Sequence, residues 1–232
     1  MSTNTMIPTL DASGSIPAYV VRPAGEAKGA IIVIQEIFGV NPGIMRKAED
    51  WAALGYLAVA PDVFWRQQPG VEFNPDVPEE FQAAIGFMMK HDFQAGIEDV
   101  EAVIRWIRRH EGVARVGLVG FCMGGKIAYM AAVRTDIDAS VGYYGVGIDQ
   151  MLNESHAIAG KLLLHVPTAD GFVPPDAQAA MHAGLDDNPH VTLHDYEGLD
   201  HGFADTFGAR RNDDGAKLAD KRTEAFFAEF VG

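Results

Sequence analysis

The sequence predicts an α/β protein with a mostly parallel central sheet and helices on both faces. Three observations carry that prediction. Short apolar runs alternate with longer amphipathic ones along the chain, which is the α/β pattern. Runs such as "AIIVIQ" at Ala30–Gln35 lack the polar alternation of a half-exposed strand, so they read as strands buried on both sides. The spacing between runs suits right-handed helical crossovers, which leave few other topologies.

In chain order, Ala30–Gln35 is the first clear strand. Residues from Gly43 to Leu54 carry helical spacing, and Gly55 breaks the helix before "GYLAVAPD" opens a second strand. From Trp65 to Phe93 the pattern is weak. The stretch "RQQPGVEFNPDVPEE" reads as an excursion over the sheet edge, a place where binding residues are often carried. From Gln94 to Glu111, Ile97, Val100, Val103, Ile104 and Ile107 recur at helical period, with acids first and bases last, as the helix dipole favours. "RVGLVG" is then a strand, Met123 to Arg134 a helix, "ASVGYYG" and "KLLLHVP" strands, Pro174 to Leu185 a helix, "VTLHDYE" a strand, and Ala216 to Phe230 the closing helix.

The 232 residues suit one α/β domain over 1–232, with no linker, repeat or low-complexity tract. Hydrophobic residues make up 48% and charged residues 22%, as in globular proteins. The formal charge is −14, from 32 acids against 18 bases, which repels phosphate backbones and anionic membrane surfaces. No nucleic acid and no membrane partner is therefore expected. The opening "MSTNTMIPTLDASG" has neither the basic nor the apolar region of a secretory signal, and the longest apolar run is far short of the about 20 residues a spanning helix needs. One cysteine rules out an internal disulfide and fits a reducing compartment, so we expect a cytoplasmic monomer.

The stretch "VGLVGFCMGGKIAY" at Val116–Tyr129 admits two chemistries. From Gly120 it spells G-x-x-x-x-G-K, the opening of a phosphate-binding loop; around Cys122 it spells G-x-C-x-G, the frame of a nucleophile elbow. The phosphate loop requires a hydroxyl after the lysine to hold magnesium, and Ile127 stands there. The elbow requires small residues two before and two after the nucleophile, which Gly120 and Gly124 supply, with Gly125 allowing close helix packing. A thiol at the start of a helix is expected to have a lowered pKa. Chain order adds the partners: Asp170 follows the strand "KLLLHVP" and His201 follows "VTLHDYE", giving nucleophile, acid and histidine in the sequence this architecture uses. Asp170 would orient His201, and His201 would deprotonate Cys122.

No metal site is expected, since His182, His190 and His194 lack the spacing of a helical zinc pair. His165 reads as a hydrogen-bonded core residue, Lys126 as a helix-face residue, and Arg210–Asn212 as a solvated loop.

Together, "IQEIFGVN" at Ile34–Asn41, "APDVFWRQQPG" at Ala60–Gly70, "DFQAGIEDVEAVIRW" at Asp92–Trp106, "VGLVGFCMGGK", "VGYYGVG" at Val141–Gly147 and "DHGF" at Asp200–Phe203 resemble the dienelactone hydrolase family over essentially the whole chain. The resemblance implies the α/β-hydrolase fold, hydrolysis of a small lactone or ester with no cofactor, and an acyl-thioester intermediate. It further implies that the Ile37 and Met123 backbone N–H groups form the oxyanion hole, and that Glu36 is a carboxylate beside the thiol able to take its proton. Phe38, Phe81, Tyr144 and Asp205 are the implied substrate-pocket residues. Two family arginines that hold a substrate carboxylate correspond here to Phe81 and Asp205, neither of which binds an anion. Preference is therefore expected to shift away from carboxylated lactones. A noncatalytic binding protein with this fold is the alternative; it would not need Cys122, Asp170 and His201 together.

Overall fold

The computed structural model describes residues 3–207 and 209–232, so the reading of the N-terminus falls partly outside them. Its strands are β1 (Thr5–Pro8), β2 (Ser15–Val21), β3 (Ala30–Ile34), β4 (Leu57–Pro61), β5 (Val116–Phe121), β6 (Ala139–Tyr143), β7 (Lys161–Pro167) and β8 (Val191–Tyr196). They form one sheet in the order β1-β2-β4-β3-β5-β6-β7-β8. From β4 to β8 all pairings are parallel, and only β2 runs the other way, pairing antiparallel with β4 and with the edge strand β1.

The helices are α1 (Pro42–Ala53), α2 (Pro78–Met89), α3 (Phe93–Trp106), α4 (Met123–Arg134), α5 (Pro175–Leu185) and α6 (Asp213–Phe230). Strand pleating sends successive side chains to opposite faces. Ile32 and Ile34 of β3 join a cluster with Val100 and Ile104 of α3 and Ile127 of α4. Ile31 and Val33 join Trp51 of α1 and Phe227 of α6 on the other face. The fully apolar strands are thus explained by helices covering both sides.

Three regions differ from the sequence reading. The first strands, β1 and β2, were not expected, because Pro8, Asp11, Ser13 and Pro17 punctuate so short a hairpin. The excursion from Trp65 contains α2, whose first turn holds Pro78 and two acids but whose apolar residues form no narrow stripe. The helix expected from Gln94 to Glu111 is α3 followed by a π-helical turn at Ile107–Glu111 that ends on Gly112 at φ 70°.

The sheet has its switch point at β3, which neighbours β4 on one side and β5 on the other. Chain connections depart in opposite directions there, opening a crevice at the carboxyl ends of the strands where ligands bind in open α/β sheets.

Candidate active site

Cys122 lies between β5 and α4 with φ 55° and ψ −114°, a backbone conformation that L residues rarely adopt. The surrounding glycines permit it. A Cβ on Gly120 would overlap the carbonyl of Gly124, and one on Gly124 would come to 2.6 Å from the Gln35 carbonyl oxygen and 2.7 Å from that of Ile34. The turn therefore packs backbone to backbone against the end of β3, and the chain leaving β3 as Glu36 and Ile37 arrives beside the thiol.

Asp170 follows β7 and His201 follows β8. Both are buried, and His201 Nδ1 lies 2.9 Å from Asp170 Oδ2. The other Asp170 oxygen accepts from the Phe172 and Val173 N–H groups at 2.8 and 3.3 Å, so this carboxylate acts as an acceptor and Nδ1 is assigned as the donor. The imidazole is flanked by Tyr144 and Phe172, ring centroids 4.9 and 4.8 Å away. Asp200 fixes the loop by accepting from the His201 and Gly171 N–H groups at 2.7 and 3.2 Å.

Cys122, His201, Glu36, Ile37, Phe38, Phe81 and Asp205 border one cavity of about 440 Å³. No hydrogen bond joins the thiol to the imidazole, and the Met123 N–H is a hydrogen-bond partner of the sulfur. The Ile37 N–H is bonded to no backbone carbonyl among the described residues.

The structure corrects several expectations. The Cys122 thiol is held well above its ordinary pKa, because burial and the Glu36 carboxyl outweigh the Met123 N–H that favours the thiolate. The helix start therefore does not lower it. Tyr144 is no cavity wall: it is buried behind the site, and its hydroxyl donates to Asp205 Oδ1 at 2.9 Å. The Arg210–Asn212 loop is not merely solvated, since Arg210 borders the cavity with its guanidinium carbon 5.8 Å from the Phe172 ring centre and 6.0 Å from that of Phe81. Arg211 instead bonds Asp213 and the Asp205 carbonyl, and Arg66 pairs with Asp99 at 2.7 Å.

Sequence reasoning also missed Lys47. Its ammonium donates to the Ala204 carbonyl at 2.9 Å and lies 4.2 Å from the Phe121 ring centre. Burial lowers its pKa, while Asp220, Glu36 and Asp205 act against that shift. The available signal was a basic residue on the stripe Ile44, Ala48 and Trp51, the buried side of α1. Pro75, Asp76, Ile85 and Met88 enter the cavity from the irregular excursion, where no period marked them.

His165 is placed as expected: Tyr196 Oη meets its Nδ1 at 2.7 Å and Thr223 Oγ1 its Nε2 at 2.8 Å. Among the described residues no cluster of three or more His, Cys, Asp or Glu could hold a metal ion, and no helix is long and apolar enough to cross a membrane.

The model of the dienelactone hydrolase family matches residues 16–231. The chain belongs to the dienelactone hydrolase family. It is thereby an enzyme of the class that hydrolyses carboxylic ester and lactone bonds. A relative from Azospirillum brasilense, provisionally named a carboxymethylenebutenolidase, is 40% identical over 99% of this chain and 100% of its own. The carboxymethylenebutenolidase of Pseudomonas putida is 36% identical over 91% of this chain and 90% of its own. A crystal structure from Klebsiella pneumoniae subsp. pneumoniae, provisionally named a dienelactone hydrolase, superposes with a TM-score of 0.82 at 28% identity, covering 98% of this chain and 100% of that one. The sheet and its helices are those of the α/β-hydrolase fold.

Proposed function

We propose that this chain hydrolyses small, neutral and largely apolar esters or lactones by a Cys122–His201–Asp170 triad. The observation that carries the reading is the convergence of three loops: the strained Cys122 turn after β5 and the buried Asp170–His201 pair after β7 and β8 meet at one cavity. A noncatalytic binding protein would have no use for an imidazole so oriented.

In the proposed reaction the Cys122 sulfur attacks the carbonyl carbon as its proton passes to His201 Nε2. A C–S bond forms and the carbonyl electron pair moves to oxygen, where the Ile37 and Met123 N–H groups receive it. The tetrahedral intermediate collapses, the C–O bond breaks, and His201 returns the proton to the departing alkoxide. Water deprotonated by His201 then attacks the thioester carbonyl, the C–S bond breaks as the acid is released, and His201 returns the proton to the Cys122 sulfur. A neutral resting thiol fits this order, because the proton leaves only when substrate is in place.

The preference follows from the walls. Ile37, Phe38, Phe81, Ile85, Met88 and Phe172 present mainly apolar surface. The acids Glu36, Asp76 and Asp205 also border the cavity, against the single guanidinium of Arg210. An anionic substrate meets more negative than positive charge there. Losing a charge-assisted hydrogen bond costs about 1.5–3 kcal/mol, or roughly 10- to 150-fold in kcat/KM at 1.4 kcal/mol per decade. Hydrolysis of the carboxylated dienelactone should therefore be slower than that of its neutral analogues by a factor in that range. A clearly better carboxylated substrate would overturn the preference, and turnover persisting in Cys122→Ala would overturn the triad.

A further inference from the structure

Asp205, in the loop after His201, meets Glu36 at the cavity wall. Their carboxyls are hydrogen-bonded to each other. Two carboxylates at hydrogen-bonding distance in a desolvated cavity cannot both ionise, so one proton is shared between them.

The partners decide where that proton rests. Asp205 Oδ1 accepts from the Tyr144 hydroxyl at 2.9 Å, so that oxygen is held as an acceptor. Tyr144 stays a donor, since burial and the Asp205 charge raise its pKa well above the ordinary value. Among the described residues no N–H or hydroxyl of another residue donates to the Glu36 carboxyl. Two cations face the pair. Lys47 is occupied by the Ala204 carbonyl and the Phe121 ring, and Arg210 lies between the rings of Phe81 and Phe172. Neither forms an ion pair with Glu36. The other titratable groups at the cavity are Cys122, His201 and Asp76.

We propose that Asp205 and Glu36 form a one-proton carboxyl pair in which Asp205 carries the charge and holds Glu36 protonated beside Cys122. Asp205 is thus a positioning residue that sets the protonation state of the site through Glu36. Burial and the Asp205 charge keep the Glu36 carboxyl well above the usual range. Glu36 then has no vacant site for the thiol proton at rest, which leaves His201 as the acceptor. The pair also presents one negative charge to substrate rather than two.

The test is a titration by 13C NMR of protein labelled at the glutamate side-chain carboxyl, with Glu36 assigned by the resonance missing from Glu36→Gln. This readout does not depend on turnover, so it can fail or succeed independently of the proposed reaction. In the wild-type protein Glu36 should show the shift of a protonated carboxyl at about pH 7, against an ordinary value of about 4.3. Asp205→Asn should lower its midpoint by about one pH unit or more, a tenfold weaker hold on the proton. Asp205→Ala should move it the same way if the asparagine variant folds poorly. A wild-type Glu36 that titrates in the ordinary carboxylate range, or a midpoint unmoved in both variants, would overturn the proposal.

Discussion

Asp170 shows how much of the proposed chemistry rests on single atoms. One of its oxygens holds the loop through two N–H groups and the other faces His201 Nδ1. Asp170→Asn keeps the size but presents an amide where the acceptor stood, so the ring loses its orientation and its favoured tautomer. Turnover of a p-nitrophenyl ester should fall by about two to four orders of magnitude, with circular dichroism unchanged. Glu36 makes a complementary prediction, on stability. Burial and the Asp205 charge raise its folded-state pKa well above the ordinary carboxyl range, so the folded protein keeps a proton that the unfolded chain gives up. Stability from this group is therefore present below the unfolded value and is lost as pH rises toward the folded one. Glu36→Gln should raise the melting temperature at neutral pH by a few degrees, and the gap from wild type should widen from about pH 4.5 upward. An equal gap at pH 4.5 and pH 8 would contradict it.

At the level of elements, the nucleophile turn and the loop after β3 are a single packed unit. A methyl group on Gly124 would press on two carbonyl oxygens of β3 and its exit, which are backbone atoms with little freedom to move. Gly124→Ala should cost about 1–3 kcal/mol by overpacking. It should also lower kcat more than it raises KM, because the turn is pushed away from the Ile37 N–H that would stabilise the oxyanion. Denaturant melts and steady-state kinetics on the same variant check both halves. The parallel strands and their helices were legible because burial on two faces leaves unbroken apolar runs, as at Ala30–Ile34, and because α3 carries a clear period. The edge hairpin was not, since β1 has only four residues, three of them partly or fully exposed. Helix α2 was hidden for a related reason: only Ala84 is buried in the helix, while Ile85 and Met88 are partly buried between the core and the cavity.

Across the whole molecule, strand order explains why the site could be found at all. Cys122 and His201 follow β5 and β8 and border one cavity, with Asp170 after β7 behind His201, so chain order pointed to these three, while Glu36 came only from the family resemblance. The charged surroundings were illegible because they depend on distant segments: Lys47 reaches the His201 loop from α1, and Arg210 turns inward on aromatic rings from α2 and the Asp170 loop. Burial also ties global stability to pH through His165, whose pKa lies well below 6.5. His91 and His194 are shifted the same way, chiefly by burial. The unfolded chain takes up protons that the folded one refuses, so stability is complete above about pH 6.5 and declines as pH falls. His165→Asn should lower stability at pH 7.5 yet flatten the decline between about pH 6.5 and 5 in thermal melts; a slope identical to wild type would count against it. The central claim, that Cys122 carries the acyl group, is tested most directly by acid-quenching the protein during turnover of a slow p-nitrophenyl ester and mapping the adduct by peptide mass spectrometry. The account predicts an acyl mass on the peptide containing Cys122, absent from Cys122→Ala. An adduct on another residue, or undiminished turnover in Cys122→Ala, would contradict it.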